Sequence, residues 1–193
     1  MLVFAIGPDQ IEADLAAGRL SCGVCGGALR PWGHARPRAT RGPGGRTGWW
    51  RPRRAVCRPC RRTDVLLPAW LLPRRRDHIE VIGRALVGYA AGAGHRRLAA
   101  QAGLPPSTVR NWLRAFAAHV DRLAAVGAAR YYRLDLNPTG IVPTGTPAGD
   151  TVEALARAAR AARLRLPTTA GPWPLINVLT CGQLLRAGGP ISI

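Results

Sequence analysis

The stretch His95–Arg114, HRRLAAQAGLPPSTVRNWLR, reads as a helix, a tight turn and a second helix. Ala99 is a small residue midway along the first helix, and Gly103 stands at the turn, where a residue without a side chain takes a positive φ at little cost. Leu98, Ala102, Leu104, Val109 and Trp112 supply the apolar contacts that let two short helices cross closely. This is the pattern of a DNA-binding helix-turn-helix, whose second helix enters the major groove. The candidate DNA-contacting residues are Arg96 and Arg97 in the first helix and Ser107, Thr108, Arg110, Asn111 and Arg114 in the second. Such side chains hydrogen-bond base edges or phosphates.

Upstream, Ile79, Ile82, Leu86 and Tyr89 recur at helical spacing between Arg76 and Ala91, and Gly92-Ala93-Gly94 stops that helix. Downstream, Val109, Trp112, Phe116, Val120 and Leu123 fall on one face, so the last helix is expected to run to about Leu123. Residues 74–123 therefore read as a three-helix domain. Residues 124–149 are rich in Gly, Pro and Thr and read as a linker. Asp150-Thr-Val-Glu153 has the form of a capping box opening a helix to about Leu166. A last short helix is expected over Leu175–Leu185, within a helical region 150–193. Arg157, Arg160 and Arg163 form a basic stripe best read as a solvated face.

The front of the chain differs in texture. Residues 1–20 read as a strand over 2–5 and a helix over Pro8–Ala17, with Asp9 near its start and Gly18 past its end. Cys22-Gly-Val-Cys25 and Cys57-Arg-Pro-Cys60 then form two CxxC pairs. Each pair puts two sulfurs on one side of a tight knuckle, and two knuckles at the base of a hairpin supply four thiolates for a closed structural zinc site. The intervening stretch of 31 residues exceeds the spacing of about 15–20 usual between such pairs, and a longer hairpin arm absorbs the excess. Its turn falls at Gly42-Pro43-Gly44-Gly45. A CxxC pair alone could be a redox pair, but neither sits in a βαβ pattern. Arg30, Arg58 and Arg61 are placed to hold the thiolates deprotonated. Cys181, between Leu179 and Leu184, reads as a buried apolar residue. His34 and His78 read as ordinary polar residues.

The formal charge is +18, and all 28 basic residues are arginines. Fourteen of them lie between Arg30 and Arg76 with one acid, Asp64, so the basic balance is concentrated in the ribbon, residues 21–63, and the link behind it. Trp32, Trp49 and Trp50 are interleaved with these arginines, which suits phosphate contact and stacking. Of Trp49 and Trp50, one is expected to face inward and one outward. A nucleic-acid partner follows, duplex DNA first and RNA as the alternative. A GC-rich coding bias explains arginine in place of lysine, but accounts poorly for the imbalance of sign. The longest bulky apolar run, Val65–Leu72, is short and contains Pro68, and MLVFAIGPDQIEADL lacks a basic leader. No membrane role is expected. A cytoplasmic, nucleoid-associated protein is, and in a reducing compartment paired cysteines suggest metal.

A DNA-cutting enzyme needs carboxylates gathered around metal ions. Asp135 and Asp150 are spaced candidates without a strand-rich core around them, and Tyr131-Tyr132 reads as a loop tyrosine pair. The chain therefore reads as non-catalytic, with a small transposase or a transposase fragment as the alternative. The fold expected is mainly α: a small β-hairpin zinc ribbon, a three-helix helix-turn-helix domain and a helical C-terminal tail.

In order along the chain, Leu15-Ala-Ala-Gly, CGVCGG, GHARPR, CRPC, LLPAWLLPRRRDHIEVIG and GHRRLAAQAGLPPSTVRNWLRAF resemble an uncharacterised family of bacterial zinc-ribbon plus helix-turn-helix proteins. That family is similar to the DNA-binding front ends of insertion-sequence transposases. The resemblance spans about residues 10–123. It implies DNA binding, metal ligation by Cys22, Cys25, Cys57 and Cys60, one structural Zn²⁺, and a recognition helix over Pro106–Arg114. Because a helix-turn-helix usually needs a dimer or a second contact for useful affinity, a homodimer is a further expected partner, with the helices at 150–166 and 175–185 as candidate dimer elements, and a transposase or recombinase is another. One departure stands out: Pro105 occupies the position where a Ser or Thr would cap the recognition helix, while Pro106 suits the first turn.

Overall fold

The computed structural model describes residues 7–186 in full and residues 2–4 as backbone. Strand β1 (Leu2–Phe4) and helix α1 (Pro8–Ala16) open the chain, as the sequence predicts; residue 5 lies outside the described residues. Gly18, just past α1, takes φ +68°, the left-handed conformation that ends a helix cheaply when no Cβ is present.

The ribbon is one long hairpin. Strand β2 (Leu29–His34) runs antiparallel to β5 (Arg53–Cys57), and β3 (Arg38–Arg41) to β4 (Thr47–Trp50). A 3₁₀ turn over Pro43–Gly45 joins the inner pair at the position the Gly-Pro-Gly-Gly stretch predicts. The two ladders are continuous apart from two slips of one residue. Pro31 pairs with Ala55, His34 with Arg53, and Arg38 with Trp50. Each slip inserts one extra residue on the β2–β3 side, and the first lies at Gly33, whose φ of +72° admits a bulge.

The expected order, a β element around the cysteines followed by a block of helices, is present, but the chain is not mainly α. The fold is mixed α/β, because β6 (Thr63–Pro68) and β1 join the hairpin in a four-stranded sheet of order β1-β6-β5-β2, with β1 and β6 parallel. The short apolar run around Pro68 thus serves as a strand. Helix α1 covers one face of this sheet: Ile11 and Leu15 pack with Leu20, Leu29, Ala55, Cys57 and Leu66 in a small core that also takes in Cys22.

Helices α2 (Ile79–Ala90), α3 (His95–Ala102) and α4 (Pro106–Ala117) follow. Ile79, Ile82, Leu86, Leu98, Val109, Trp112 and Phe116 form the centre of the main core, as their periodicity predicts. Helix α4 does not run on to Leu123. It ends with its cap at Ala118, His119 leaves helical geometry at φ −135°, and α5 (Val120–Leu134) begins as a separate helix. The segment read as a linker over 124–149 is therefore helical as far as Leu134. A Cβ on Gly127 of α5 would stand 2.9 Å from the backbone of Ala154 and Leu155, so this glycine allows α5 to lie directly against α6 (Pro147–Arg165).

Helix α6 begins four residues earlier than the capping-box pattern implies, with its cap at Thr146 instead of Asp150. Thr146 accepts from the Gly149 amide at 3.0 Å, and Pro147 fills the first turn. Asp150 instead accepts from the Thr144 amide (2.6 Å) and hydroxyl (2.8 Å), holding the preceding loop, and these bonds lower its pKa. Helix α7 (Pro172–Leu179) also begins earlier than expected and ends before Leu185. Leu155, Ala159, Leu175, Ile176, Leu184 and Leu185 belong to the same core as α2–α4, so the C-terminal helices complete that core. Asn177 is fully buried and donates from its amide to the carbonyls of Ala69 (2.7 Å) and Leu71 (3.0 Å), tying α7 to the end of the sheet. Cys181 is exposed with φ +50°, not buried as its apolar neighbours suggest.

Candidate metal centre and the adjoining basic surface

The two CxxC turns share one backbone design. In the first, the Cys22 amide donates to the Gly27 carbonyl (2.8 Å) and Gly26 is left-handed at φ +71°. In the second, the Cys57 amide donates to the Arg62 carbonyl (2.8 Å) and Arg61 is left-handed at φ +59°. Each turn thus reverses at the fourth residue past its first cysteine and closes at the fifth. Gly27 lies under the opposite turn, where a Cβ would come within 2.8 Å of the Pro59 ring.

This construction brings Cys22, Cys25, Cys57 and Cys60 together, all four sulfurs within 4.8 Å of one another. Across the two turns, Cys22 Sγ is 3.7 Å from Cys60 Sγ and Cys25 Sγ is 3.4 Å from Cys57 Sγ. A zinc–sulfur bond of about 2.3 Å places tetrahedral sulfurs about 3.8 Å apart, so the donor set fits a structural Zn²⁺ or a similar thiophilic ion. Bound there, the ion would cross-link the two turns and neutralise thiolate charge. The first cysteine of each pair, Cys22 and Cys57, is buried in the small core, and the second of each, Cys25 and Cys60, faces solvent.

The thiols are electrostatically unequal. Hydrogen bonds from the backbone amides of Cys25 and Val24, with smaller help from the neighbouring thiols, hold Cys22 down to about 7. At Cys57 the Cys60 amide pulls the same way, but burial and the surrounding sulfurs outweigh it and push the thiol up to about 12. The depression at Cys22 thus comes from peptide dipoles and not from Arg30, Arg58 and Arg61, all of which are exposed. Among the described residues these cysteines are the one group of three or more metal-ligating side chains gathered closely enough to hold an ion. Asp135 accepts from the Asn137 amide, and Tyr131 and Tyr132 lie on α5 rather than in a loop. No described helix is long and apolar enough to cross a membrane.

The arm is fastened to the helices at its tip. Arg41 donates to the buried carboxylate of Asp77, and the backbones of Arg41, Arg76 and His78 exchange two further hydrogen bonds. Behind them Trp50 packs edge-on against Trp70, whose ring lies 4.4 Å from the His78 imidazole. His78 is thus a packing residue, its pKa lowered mainly by burial. Trp50 turns inward and Trp49 outward, as strand alternation predicts.

Residues 22–112 match the family model of a domain of unknown function, DUF6431. The match begins at the first cysteine of the metal centre and ends inside α4, so it takes in both CxxC turns, the arm, α2 and α3. No curated protein and no solved structure matches the chain.

Within the matched region, Gly103 adopts the expected left-handed turn at φ +63° between α3 and α4. Pro105 stands at the cap of α4 without a side-chain hydrogen bond, and Pro106 begins the helix. Val109, Trp112, Leu113 and Phe116 are buried, while Ser107, Arg110, Asn111 and Arg114 are exposed and Thr108 is half-buried. Arg96 and Arg97 are exposed on α3. The arm tip and the α3–α4 turn face each other across a cleft of about 650 Å³, bordered by Arg41, Arg84, Gln101 and Gly103. Arg41–Asp77 and the left-handed Arg61 are missed in the sequence; an isolated Asp in a run of arginines is the one signal for the former.

Proposed function

We propose that this chain binds duplex DNA, with α4 as the helix that enters the major groove and the four-cysteine centre as a structural zinc site that holds a basic arm beside it. The observation that carries the reading is the division of α4 into two faces. Trp112 and Phe116 fix one face in the core, and Arg110, Asn111 and Arg114 are exposed on the other, beginning about one turn into α4, which follows the left-handed Gly103. Arginine and asparagine are the side chains that pair bidentately with guanine and adenine edges. The charge of +18 and the arm beside the α3–α4 turn support phosphate contacts on either side of such a helix. The role would be that of a transcriptional regulator or of an accessory to a mobile element, acting without a catalytic step of its own.

Selection of bound duplexes from a random pool by the zinc-loaded protein tests this. An enriched sequence, bound with an affinity that falls steeply with salt, is expected; a palindrome would assign a homodimer. No enrichment together with a flat salt response overturns the reading.

A further inference from the structure

The arm and the sheet edge carry two tryptophans that the fold does not use. Trp112 is buried, Trp50 packs on Trp70, and Trp173 lies over Gly83 so closely that a Cβ there would overlap its ring. By contrast Trp32 is 55% exposed and Trp49 is 79% exposed. Alternation along the strands explains the first. Leu29, Ala55 and Cys57 turn toward α1, so Arg30, Trp32, Arg54 and Val56 share the opposite face. Trp49 lies farther along the hairpin, on the two-stranded ladder and out of phase with Arg54 and Val56, so it is not part of that face.

Flat aromatic faces open to water among guanidinium groups have the chemistry of a platform for unpaired bases. An indole offers a stacking surface that any base can cover, and arginines on either side take the phosphates. A closed duplex cannot use these rings, because its bases already cover one another. We propose that the Trp32 face of the hairpin, with Arg30 and Arg54 beside the indole, is a second nucleic-acid site, taking an unpaired stretch of single-stranded DNA. Only the source of that stretch, a strand adjoining duplex held on α4, rests on the function proposed above.

The test uses the full zinc-loaded chain and a labelled oligo(dT) of about 16 nucleotides, within the range one such platform spans. Binding with quenching of tryptophan fluorescence is expected. Trp32→Ala should weaken oligo(dT) binding by roughly fivefold or more and Trp32→Phe should restore most of it, because stacking and not a hydrogen bond is being removed, while Trp49→Ala should weaken it much less. Zinc content and circular dichroism should stay unchanged, since both side chains are exposed. Arg110→Ala should leave oligo(dT) binding intact, so a failure of α4 to hold duplex would not touch this site. Absence of oligo(dT) binding, binding indifferent to Trp32→Ala, or tighter binding of oligo(U) than of oligo(dT) overturns the proposal.

Discussion

Arg41 donates from Nε and Nη2 to one carboxylate oxygen of Asp77, at 2.7 Å and 2.6 Å, and so joins the tip of the arm to the entrance of α2. Asp77 is 3% exposed. A carboxylate at that depth depends on its partner, because removing the partner leaves a buried charge with nothing to balance it.

Arg41→Ala is therefore expected to destabilise the protein by about 3–5 kcal/mol. The double variant Arg41→Leu/Asp77→Leu should recover a large part of the loss, since it removes both charges. Urea denaturation of the single and double variants measures both quantities. Equal stability of Arg41→Ala and the parent would show that the ion pair does not fasten the arm.

The metal centre gives a stoichiometry and a sign. About one zinc per chain is expected, lost in Cys57→Ser. Zinc binds thiolates, so protons compete with it; raising the pH removes the competitor and affinity should rise, while acidification releases the ion. Cys22, held to about 7, is already partly ionised at neutral pH, whereas Cys57, pushed up to about 12, must give up its proton on binding. Calorimetry in buffers of different ionisation enthalpy should detect proton release near neutral pH. Its absence would argue against thiolate ligation.

The matched turns predict opposite effects of small changes at equivalent positions. Arg61 pays a left-handed penalty that Gly26 avoids. Arg61→Gly should accordingly stabilise the zinc-loaded protein by up to about 1 kcal/mol, and Gly26→Ala should destabilise it by about 1–2 kcal/mol. Thermal unfolding of the two variants, read as the direction of the Tm shift, decides this.

On α4, Arg110→Ala and Asn111→Ala should each weaken binding to a selected duplex by about 1–3 kcal/mol while changing random-sequence binding much less. Equal losses on both kinds of DNA would place these side chains on phosphate. Competition titrations at a fixed salt concentration separate the outcomes.

What could be read in the sequence was what repeats at short range. Ile79, Ile82 and Leu86, the turn at Gly103, the paired cysteines and the Gly42–Gly45 turn each carry a local pattern that survives folding. What could not be read depends on distant partners. Val65–Leu67 becomes a strand because β1 lies beside it, some sixty residues earlier in the chain. Composition over 124–149 concealed the end of α5 because a glycine that permits close helix packing looks, in sequence, like one that breaks a helix. Asp150 has the residue type of a cap and the right spacing to Glu153, but Thr146 and Pro147 outcompete it by offering a better first turn. Cys181 shows the same limit on the other side: apolar neighbours in sequence do not guarantee a buried position.

The hydrogen bonds from Asn177 to Ala69 and Leu71 join residues more than a hundred positions apart. During synthesis the two carbonyls and the α2 surface around Gly83 emerge long before α7 does. The helical core then keeps its apolar seam open until α7 has been made. The order of manufacture thus makes α7 the closing step of a unit whose sheet is made well before it, and loss of the chain after Leu166 would strike the whole core rather than a dispensable tail.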